Sequence, residues 1–247
     1  MNLVSIIMPV YNSEKTISES IEGILCQIYD NWELLITDDG SNDKSLEIIN
    51  KYSLSDERIK IFTQNNSGAS IARNNSIKNA SGRFIAFCDS DDIWVPKKLD
   101  FQIKFMIKNE LSFTYSSYQK FKNKSDFGGI VKAPQKVTYE SLLRIDSIGC
   151  LTAIYDSSIL GKRYFKNIGT SEDYDLWLSI FKEIGFTYGI CEVLAYYRVS
   201  NNSISANKIT AAKNHWKVLS NIDELSFFKR VYCFSFYAIF SISNYLK

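Results

Sequence analysis

Residues 84–92 read FIAFCDSDD, in which five apolar residues run straight into a segment with three aspartates, Asp89, Asp91 and Asp92. A short apolar run bounded by polar residues is typical of a buried strand in a parallel sheet. Ligands of such sheets bind beyond the carboxyl ends of the strands, where these aspartates would lie. The segment therefore predicts a buried α/β sheet with an acidic site at its edge.

Working outward from this segment, the first hundred residues alternate between apolar runs and helical patterns. The predicted strands are Val4–Val10, Glu33–Thr37, Ile59–Phe62 and Phe84–Cys88. The predicted helices between them cover residues 16–25, 45–52 and 70–79. Strands separated by helices of this length imply right-handed crossovers and a mostly parallel sheet with helices on both faces. The polar ends of all four strands are then expected at one edge.

The alternation weakens after residue 110. We expect strands at Phe113–Tyr118, Thr152–Tyr155 and Leu194–Val199, a loop or hairpin over Lys120–Lys136 and a helix over Asp173–Glu183. The predicted organisation is one domain over residues 1–205, in two halves, residues 1–110 and residues 111–205. A C-terminal helical segment, residues 206–247, follows it.

Composition narrows the class of protein. The chain has 247 residues and a net charge of only +2, which gives no reason to expect a nucleic-acid partner. Its five cysteines are scattered without C-x-x-C spacing, so we expect reduced core residues in a cytoplasmic protein, with no signal peptide. The single histidine, His215, excludes a histidine metal cluster and is expected on the surface or in packing.

The acidic segment offers hard oxygen ligands. Two carboxylates at spacing i, i+2, Asp89 and Asp91, suit Mg²⁺ or Mn²⁺, which would bridge to the oxygens of a diphosphate. The alternative is that Asp91 or Asp92 caps the helix expected after Pro96. A cap accounts for one aspartate but not for three.

Two more polar clusters follow predicted strands. In DDGSND, residues 38–43, Asp39 can accept a hydrogen bond from N3–H of a uracil ring; the alternative is a turn in which Ser41 or Asp43 caps a helix. In NNSGASIARN, residues 65–74, Gly68 lets the backbone approach a planar base and Arg73 can reach phosphate or base. The alternative is an arginine on a solvated helix face.

A further motif, SEDYDLW at residues 171–177, places Glu172 and Asp173 at the start of a helix. A carboxylate there is stabilised by the helix N-terminus and can act as a general base for an acceptor hydroxyl. An ordinary capping acid is the alternative.

Taken in order over residues 3–205, six strings resemble glycosyltransferase family 2, which has the GT-A fold: VSIIMPVYN, DDGSND, NNSGASIARN, CDSDDIW, SEDYDLW and YRVSNNSIS. In character the chain is similar to bacterial enzymes that build O-antigen and other surface polysaccharides. The resemblance implies a Rossmann-like, mostly parallel sheet flanked by helices, and inverting transfer from a UDP-sugar with Mn²⁺ or Mg²⁺.

The same resemblance implies that residues 1–205 are a catalytic domain with a nucleotide-binding half (1–110) and an acceptor and catalytic half (111–205). It also implies roles for individual residues. The positions that would contact the nucleotide are Pro9, Tyr11, Asp39, Gly68, Arg73, Asp89, Ser90 and Arg198. Asp91, with Asp89, would hold the metal, and Asp173 would be the catalytic base, with Glu172 as the neighbouring alternative. Many relatives have a histidine that helps bind metal or diphosphate where this chain has Ser200, so the remaining metal ligands stay open.

The C-terminal segment has 16 residues without a formal charge, Val231–Leu246, preceded by basic residues. It is too short and too polar for a spanning helix, and it fits an interfacial helix on the inner-membrane surface. Packing on the domain or on a second subunit is the alternative.

The expected reaction is transfer of a hexose or N-acetylhexosamine to a hydroxyl of a polyprenyl-diphosphate-linked saccharide. A nucleotidyltransferase is the alternative enzyme class, but it usually needs a glycine-rich loop after the first strand, and PVYNSEKT at residues 9–16 has no glycine. An inactive nucleotide-sugar-binding scaffold is a third possibility, and the presence of both Asp91 and Asp173 argues against it.

Overall fold

The computed structural model describes residues 2–123, 125–169, 171–199 and 208–243. Its strands form one sheet in the order β3-β2-β1-β4-β9-β6-β10-β5, with β7 beside β6 and β8 beside β10. The strands are β1 (Val4–Val10), β2 (Trp32–Asp38), β3 (Ile59–Thr63), β4 (Phe84–Phe87), β5 (Ile93–Trp94), β6 (Phe113–Asn123), β7 (Asp126–Val131), β8 (Lys136–Thr138), β9 (Ile154–Asp156) and β10 (Phe186–Arg198).

Helices cover both faces of this sheet. They are α1 (Ile17–Leu25), α2 (Ser45–Ser55), α3 (Ala69–Asn79), α4 (Lys98–Lys108), α5 (Tyr139–Leu142), α6 (Ser157–Leu160), α7 (Glu172–Ile184), α8 (Lys208–Ser220) and α9 (Phe227–Ser243). Two separate apolar clusters result, one on each side of the central strands. None of the helices in these described parts of the chain is long and apolar enough to cross a bilayer.

The parallel sheet predicted for the first hundred residues is confirmed. β1 pairs in parallel with β2 and β4, and β2 pairs in parallel with β3. Every residue of β1 and β2 is buried, as expected of strands covered on both faces. The four strand ends therefore lie at one edge, which carries the polar clusters.

The second half of the sheet is mixed. β9 runs antiparallel to both β4 and β6, whereas β6 and β10 are parallel. The strand predicted at Phe113–Tyr118 continues to Asn123 because β7 pairs with its far end as a hairpin. The strand predicted at Leu194–Val199 is the end of the longer β10, whose register shifts between Ile190 and Ala195 break the apolar alternation.

The cysteines are free thiols, as expected, but they are not all in the core. Cys88 and Cys233 are buried and Cys150 is half-buried, whereas Cys26 and Cys191 are exposed. Cys26 directly follows α1 and Cys191 lies in the irregular stretch of β10, where neither side chain faces the apolar clusters. The prediction of core positions is wrong for these two residues.

The described part of the C-terminal segment forms two helices, as predicted. It packs through Val218, Leu219, Leu225 and Cys233 on one of the two apolar clusters, which we call the main core. His215 of α8 is a buried packing residue, stacked between Tyr174 and Tyr237 with ring centroids 5.0 and 4.1 Å away. Ser200, which the sequence places at the position of a family histidine, lies outside the described residues, as do the last residues of the uncharged tail.

Candidate active site

The polar edge of the parallel sheet is held together by backbone bonds between the strand ends. The Asp39 N–H donates to the carbonyl of Val10 at 2.8 Å, and the Gln64 N–H donates to the carbonyl of Asp38 at 3.0 Å. Pro9 is buried within β1, where it pairs with Thr37, and Tyr11 beyond it is 48% exposed. An exposed ring at this point offers a flat surface on which a nucleobase can stack.

Asp39 anchors the loop after β3. Its carboxylate accepts hydrogen bonds from the backbone N–H groups of Ser67 and Gly68 at 2.8 and 2.9 Å, and from the Gln64 side chain at 2.8 Å. A carboxylate has about four acceptor sites, so one remains for a ligand. Gly68 has a φ of 96°, a backbone conformation that favours glycine.

Asp38, next to this anchor, was not singled out by the sequence analysis. Its Oδ2 accepts the Ser41 N–H at 3.1 Å, but its Oδ1 is buried without a hydrogen-bond partner. A buried carboxylate oxygen without a donor is costly. The signal in the sequence is the paired aspartate of DDGSND, of which only the second was interpreted.

Arg73 and Asp89 form an ion pair at the centre of the site. Nη2 of Arg73 lies 2.6 Å from Oδ1 of Asp89, and the guanidinium carbon lies 5.3 Å from the centre of the Phe165 ring. Arg73 is only 9% exposed, which rules out the solvated helix face, and its Nε has no partner. Burial works against the charge, but the Asp89 carboxylate, together with the nearby Cys150 and Asp173, outweighs it and raises the pKa of Arg73.

Asp91 and Asp92 have different surroundings. Asp92 is 1% exposed and its Oδ1 accepts the backbone N–H of Arg198 at 3.1 Å, whereas Nε of Arg198 donates to the Asp91 carbonyl at 2.9 Å. Helix α4 is preceded by Lys97 and has no side-chain cap, so the prediction that Asp91 or Asp92 caps it is wrong. Asp92 instead connects the acidic turn, residues 89–92, to the end of β10.

The side chain of Asp91 is half-buried beside Asp89. Burial, and then the Asp89 carboxylate, raise the pKa of Asp91 to about 6. Ser90, between them, shares a hydrogen bond of 2.8 Å with the hydroxyl of Ser13. The acidic turn is thereby attached to the segment that follows β1.

Asp173 lies at the start of α7, within electrostatic reach of the Arg73–Asp89 pair. Burial raises the pKa of Asp173, Arg73 opposes that effect and Asp89 adds to it. Glu172 accepts a hydrogen bond from the Gly169 N–H at 3.2 Å and so serves its own loop. The structure brings Asp173 to the acidic edge and gives Glu172 a local role.

Asp146 is a further carboxylate that the sequence analysis missed. Loss of hydration at the carboxylate, and then the charge of Asp173, raise the pKa of Asp146 well above the usual range, although the residue keeps an exposed surface and the Ile148 N–H opposes this. The loop that carries it is closely fitted, since a Cβ on Gly149 would lie 3.1 Å from the Tyr118 ring. The segment has no apolar period, so only the carboxylate and the following glycine could have drawn attention to it.

The donor set at this edge fits a hard divalent cation. No three His, Cys, Asp or Glu side chains of the described residues stand together closely enough to hold an ion. Asp91 and Asp89 offer carboxylate oxygens, the ligands that Mg²⁺ and Mn²⁺ accept. Mg²⁺ is commonly held by one or two carboxylates together with substrate phosphates and water, and Asp91 and Asp89 would be the carboxylates in such a set.

Residues 5–169 match the family model described as "Glycosyl transferase family 2". Among curated proteins, the chain is 48% identical over 224 residues to the UDP-Glc:alpha-D-GlcNAc-diphosphoundecaprenol beta-1,3-glucosyltransferase WfgD of Escherichia coli. The alignment covers 90% of this chain and 87% of WfgD.

Two solved structures share the fold. Staphylococcus aureus TarS 1–349 in complex with UDP-GlcNAc gives a TM-score of 0.71 at 20% identity, covering 96% of this chain and 72% of that one. The mannosyltransferase PcManGT of Pyrobaculum calidifontis, in complex with GDP-Man and Mn²⁺, gives a TM-score of 0.68 at 16% identity, covering 90% and 64%. The predicted GT-A fold is thereby confirmed.

Proposed function

The chain belongs to glycosyl transferase family 2, and from that premise we propose that it transfers glucose from UDP-glucose to a GlcNAc-diphosphate-lipid acceptor. The observation that carries the choice of donor and acceptor is the similarity to WfgD along nearly the whole chain. Membership of this family sets aside the nucleotidyltransferase, and the presence of both Asp91 and Asp173 argues against an inactive scaffold. The product would be a β-glycoside in the assembly of O-antigen or another surface polysaccharide.

We assign the uridine to the edge formed by Tyr11 and the loop that Asp39 anchors. The remaining acceptor site of Asp39 and the unpaired Oδ1 of Asp38 suit N–H and O–H donors, which a uracil ring and a ribose provide. The exposed ring of Tyr11 suits stacking on the base.

The diphosphate belongs on the side of the acidic turn. Arg73 and Arg198 are the cations there, and each is already held by a carboxylate or a carbonyl of the site. A bound Mn²⁺ or Mg²⁺, with Asp91 and Asp89 as its protein ligands, would neutralise the departing diphosphate. Arginines fixed in this way need little reorganisation when negative charge develops on the leaving group.

Asp173 is our proposed general base. It takes the proton of the attacking GlcNAc hydroxyl while the hydroxyl oxygen bonds to the anomeric carbon of the donor. The bond from that carbon to the UDP oxygen breaks, UDP leaves, and in-line attack turns an α-linked donor into a β-linked product. The raised pKa of Asp173 suits this role, because a base is most effective when its pKa approaches the working pH.

The acceptor determines where the reaction takes place. An undecaprenol chain is retained in a bilayer, and nucleotide-sugars are made in the cytoplasm. We therefore propose that the protein works as a peripheral enzyme on the cytoplasmic face of the inner membrane.

A donor panel tests the proposal. UDP-glucose, UDP-galactose, UDP-GlcNAc and GDP-mannose are each offered with a synthetic GlcNAc-diphosphate-lipid, with and without Mn²⁺, and the product is identified by mass and by the proton coupling of its anomeric carbon. We expect a β-glucosyl product from UDP-glucose. A faster reaction with another donor, or an α-linked product, would contradict the proposal.

A further inference from the structure

Helix α9 exposes an unusual number of apolar side chains. Phe228 is 84% exposed, Ile239 is 67% exposed, and Phe227, Tyr232, Phe236 and Val231 range from 64% down to 39%. A surface helix of a globular protein normally turns polar residues to the solvent. We call the face formed by Phe228, Val231, Tyr232, Phe236 and Ile239 the aromatic ridge.

The residues of the aromatic ridge share one side of α9, opposite the side that packs on the rest of the protein. At 100° per residue its five members lie within about 140° of one another. The opposite side holds Cys233, which is 1% exposed, and Tyr237, which stacks on the buried His215. Both sides of α9 are therefore apolar, and the described residues of the chain cover only one of them.

Charge on the same surface is positive. The chain has no acidic residue from Leu225 to Ser243, whereas Lys229 and Arg230 lie in the first turn of α9. The guanidinium carbon of Arg144 lies 5.5 Å from the centre of the Phe236 ring, at the edge of the ridge. Lys229 is paired with Glu140 across a surface contact, which water and salt weaken.

The ridge also borders the acceptor side of the site. Arg144, which lies over the Phe236 ring of the ridge, is two residues before Asp146, and the charge of Asp173 is close enough to help raise the pKa of Asp146. A flat surface resting on the ridge would thus adjoin the loop next to the proposed base. The undecaprenyl chain of the proposed acceptor lies in such a surface, with its diphosphate at the boundary with water.

We propose that the aromatic ridge of α9 docks on an anionic lipid bilayer, with Lys229 and Arg144 facing the lipid phosphates. Aromatic and aliphatic side chains then enter the boundary between headgroups and acyl chains, where an amphipathic helix lies flat. Nearby cations add electrostatic attraction to an anionic surface. The inference rests on the proposed lipid-linked acceptor, and it names the surface by which the enzyme reaches it.

The test uses the full chain and a triple variant, Phe228→Ser, Tyr232→Ser and Ile239→Ser. Binding is measured by co-sedimentation with vesicles of phosphatidylcholine alone and of phosphatidylcholine with phosphatidylglycerol. A matched control replaces three exposed apolar residues elsewhere, Leu54→Ser, Ile159→Ser and Phe127→Ser. Substitutions are preferable to deletion after Lys229, because the deletion also removes the packed residues Cys233 and Tyr237.

We expect the wild type and the control variant to bind the anionic vesicles, and the ridge variant to lose at least about tenfold in partitioning. Equal binding of all three proteins, or no binding by the wild type, would overturn the proposal. So would a wild-type dimer in light scattering that the ridge substitutions convert to a monomer, since a second copy would then cover the ridge.

A separate readout distinguishes this proposal from the proposed function. Glucosyl transfer to a short-chain, water-soluble GlcNAc-diphosphate acceptor should be the same in the ridge variant and the wild type. Absence of transfer in both proteins, with vesicle binding present in the wild type and lost in the ridge variant, would refute the reaction but not the docking surface. Full transfer with equal vesicle binding by both proteins would refute only the docking surface.

Discussion

At the scale of single residues, two neighbouring acids in the same motif have separate environments. Asp173 is in the electrostatic field of Arg73 and Asp89, whereas the Glu172 carboxylate is occupied by the Gly169 N–H. A general base must reach the proton that it removes. Asp173, which lies closer to the acidic edge where we place the sugar donor, is therefore the better candidate. The two acids are therefore a natural pair for comparison.

We expect Asp173→Asn to lower kcat by about 10²–10⁴-fold, because the amide cannot accept the proton of the attacking hydroxyl. UDP affinity, measured by calorimetry, should change little, since the side chain is assigned to the acceptor and not to the nucleotide. Glu172→Gln is the matched control, because it keeps the acceptor oxygen for the Gly169 N–H and should retain most of the activity. A large loss of UDP binding in Asp173→Asn would reassign the residue.

Asp91 and Asp92 allow a second comparison. The Asp91 carboxylate is half-buried at the edge, whereas Asp92 is buried and engaged with the Arg198 backbone. We expect Asp91→Ala to abolish Mn²⁺-dependent transfer and to weaken Mn²⁺ binding in the presence of UDP, measured by electron paramagnetic resonance. Asp92→Asn, which keeps the acceptor oxygen, should bind Mn²⁺ as the wild type does. Equal Mn²⁺ binding by Asp91→Ala and wild type would remove Asp91 from the ligand set.

At the scale of elements, the stack of Tyr174, His215 and Tyr237 joins α7, α8 and α9. Tyr174 is also fixed by its hydroxyl, which donates to the carbonyls of Leu142 and Leu143. It directly follows Asp173, so the two C-terminal helices support the start of the helix that carries the proposed base. Burial lowers the pKa of His215 to about 4, although a hydrogen bond to the Leu143 backbone opposes this effect.

Protonation of His215 makes the free energy of unfolding depend on pH. Its pKa is about 6.5 in the unfolded chain and about 4 in the folded one, so below pH 6.5 the unfolded state binds the proton first. Stability is therefore full above pH 6.5 and falls toward pH 4, by about 2–3 kcal/mol at pH 4.5. His215→Phe keeps a stacking ring but cannot titrate, and denaturant unfolding from pH 7 to 4.5 should show a smaller fall. Parallel curves for the two proteins would contradict the prediction.

The elements also show which parts of the fold a sequence can reveal. β1 and β2 are buried on both faces, so an unbroken apolar run predicts them to within one residue at each end. β10 is 13 residues long but carries exposed and buried positions without strict alternation, and its register shifts twice against β6. β10 is a strand because its neighbouring strands pair with it, and such long-range pairing leaves little signal in the local sequence.

At the scale of the whole molecule, one half of the site could be predicted from the sequence and the other half could not. The proposed nucleotide side follows from topology, because the carboxyl ends of the parallel strands bring Asp39 and Asp89 to one edge of the sheet. The proposed acceptor side includes the loop of Asp146, where the charge of Asp173 helps to raise the pKa of Asp146, and this loop follows α5, which shares one apolar cluster with α7 and the C-terminal helices. No spacing in the sequence encodes that approach.

The same packing predicts the fate of a shortened chain. A chain of residues 1–205 lacks Val218, Leu219, Leu225 and Cys233, all of which are buried in the main core. Removing a large buried side chain typically costs about 2–5 kcal/mol, and a domain has only about 5–15 kcal/mol of stability in total. We therefore expect the shortened chain to lack a cooperative thermal transition in calorimetry. The ridge variant, which alters only exposed positions of α9, should keep the wild-type transition. A shortened chain that melts as the full chain does would make the two helices an appendage, with a domain boundary near residue 205.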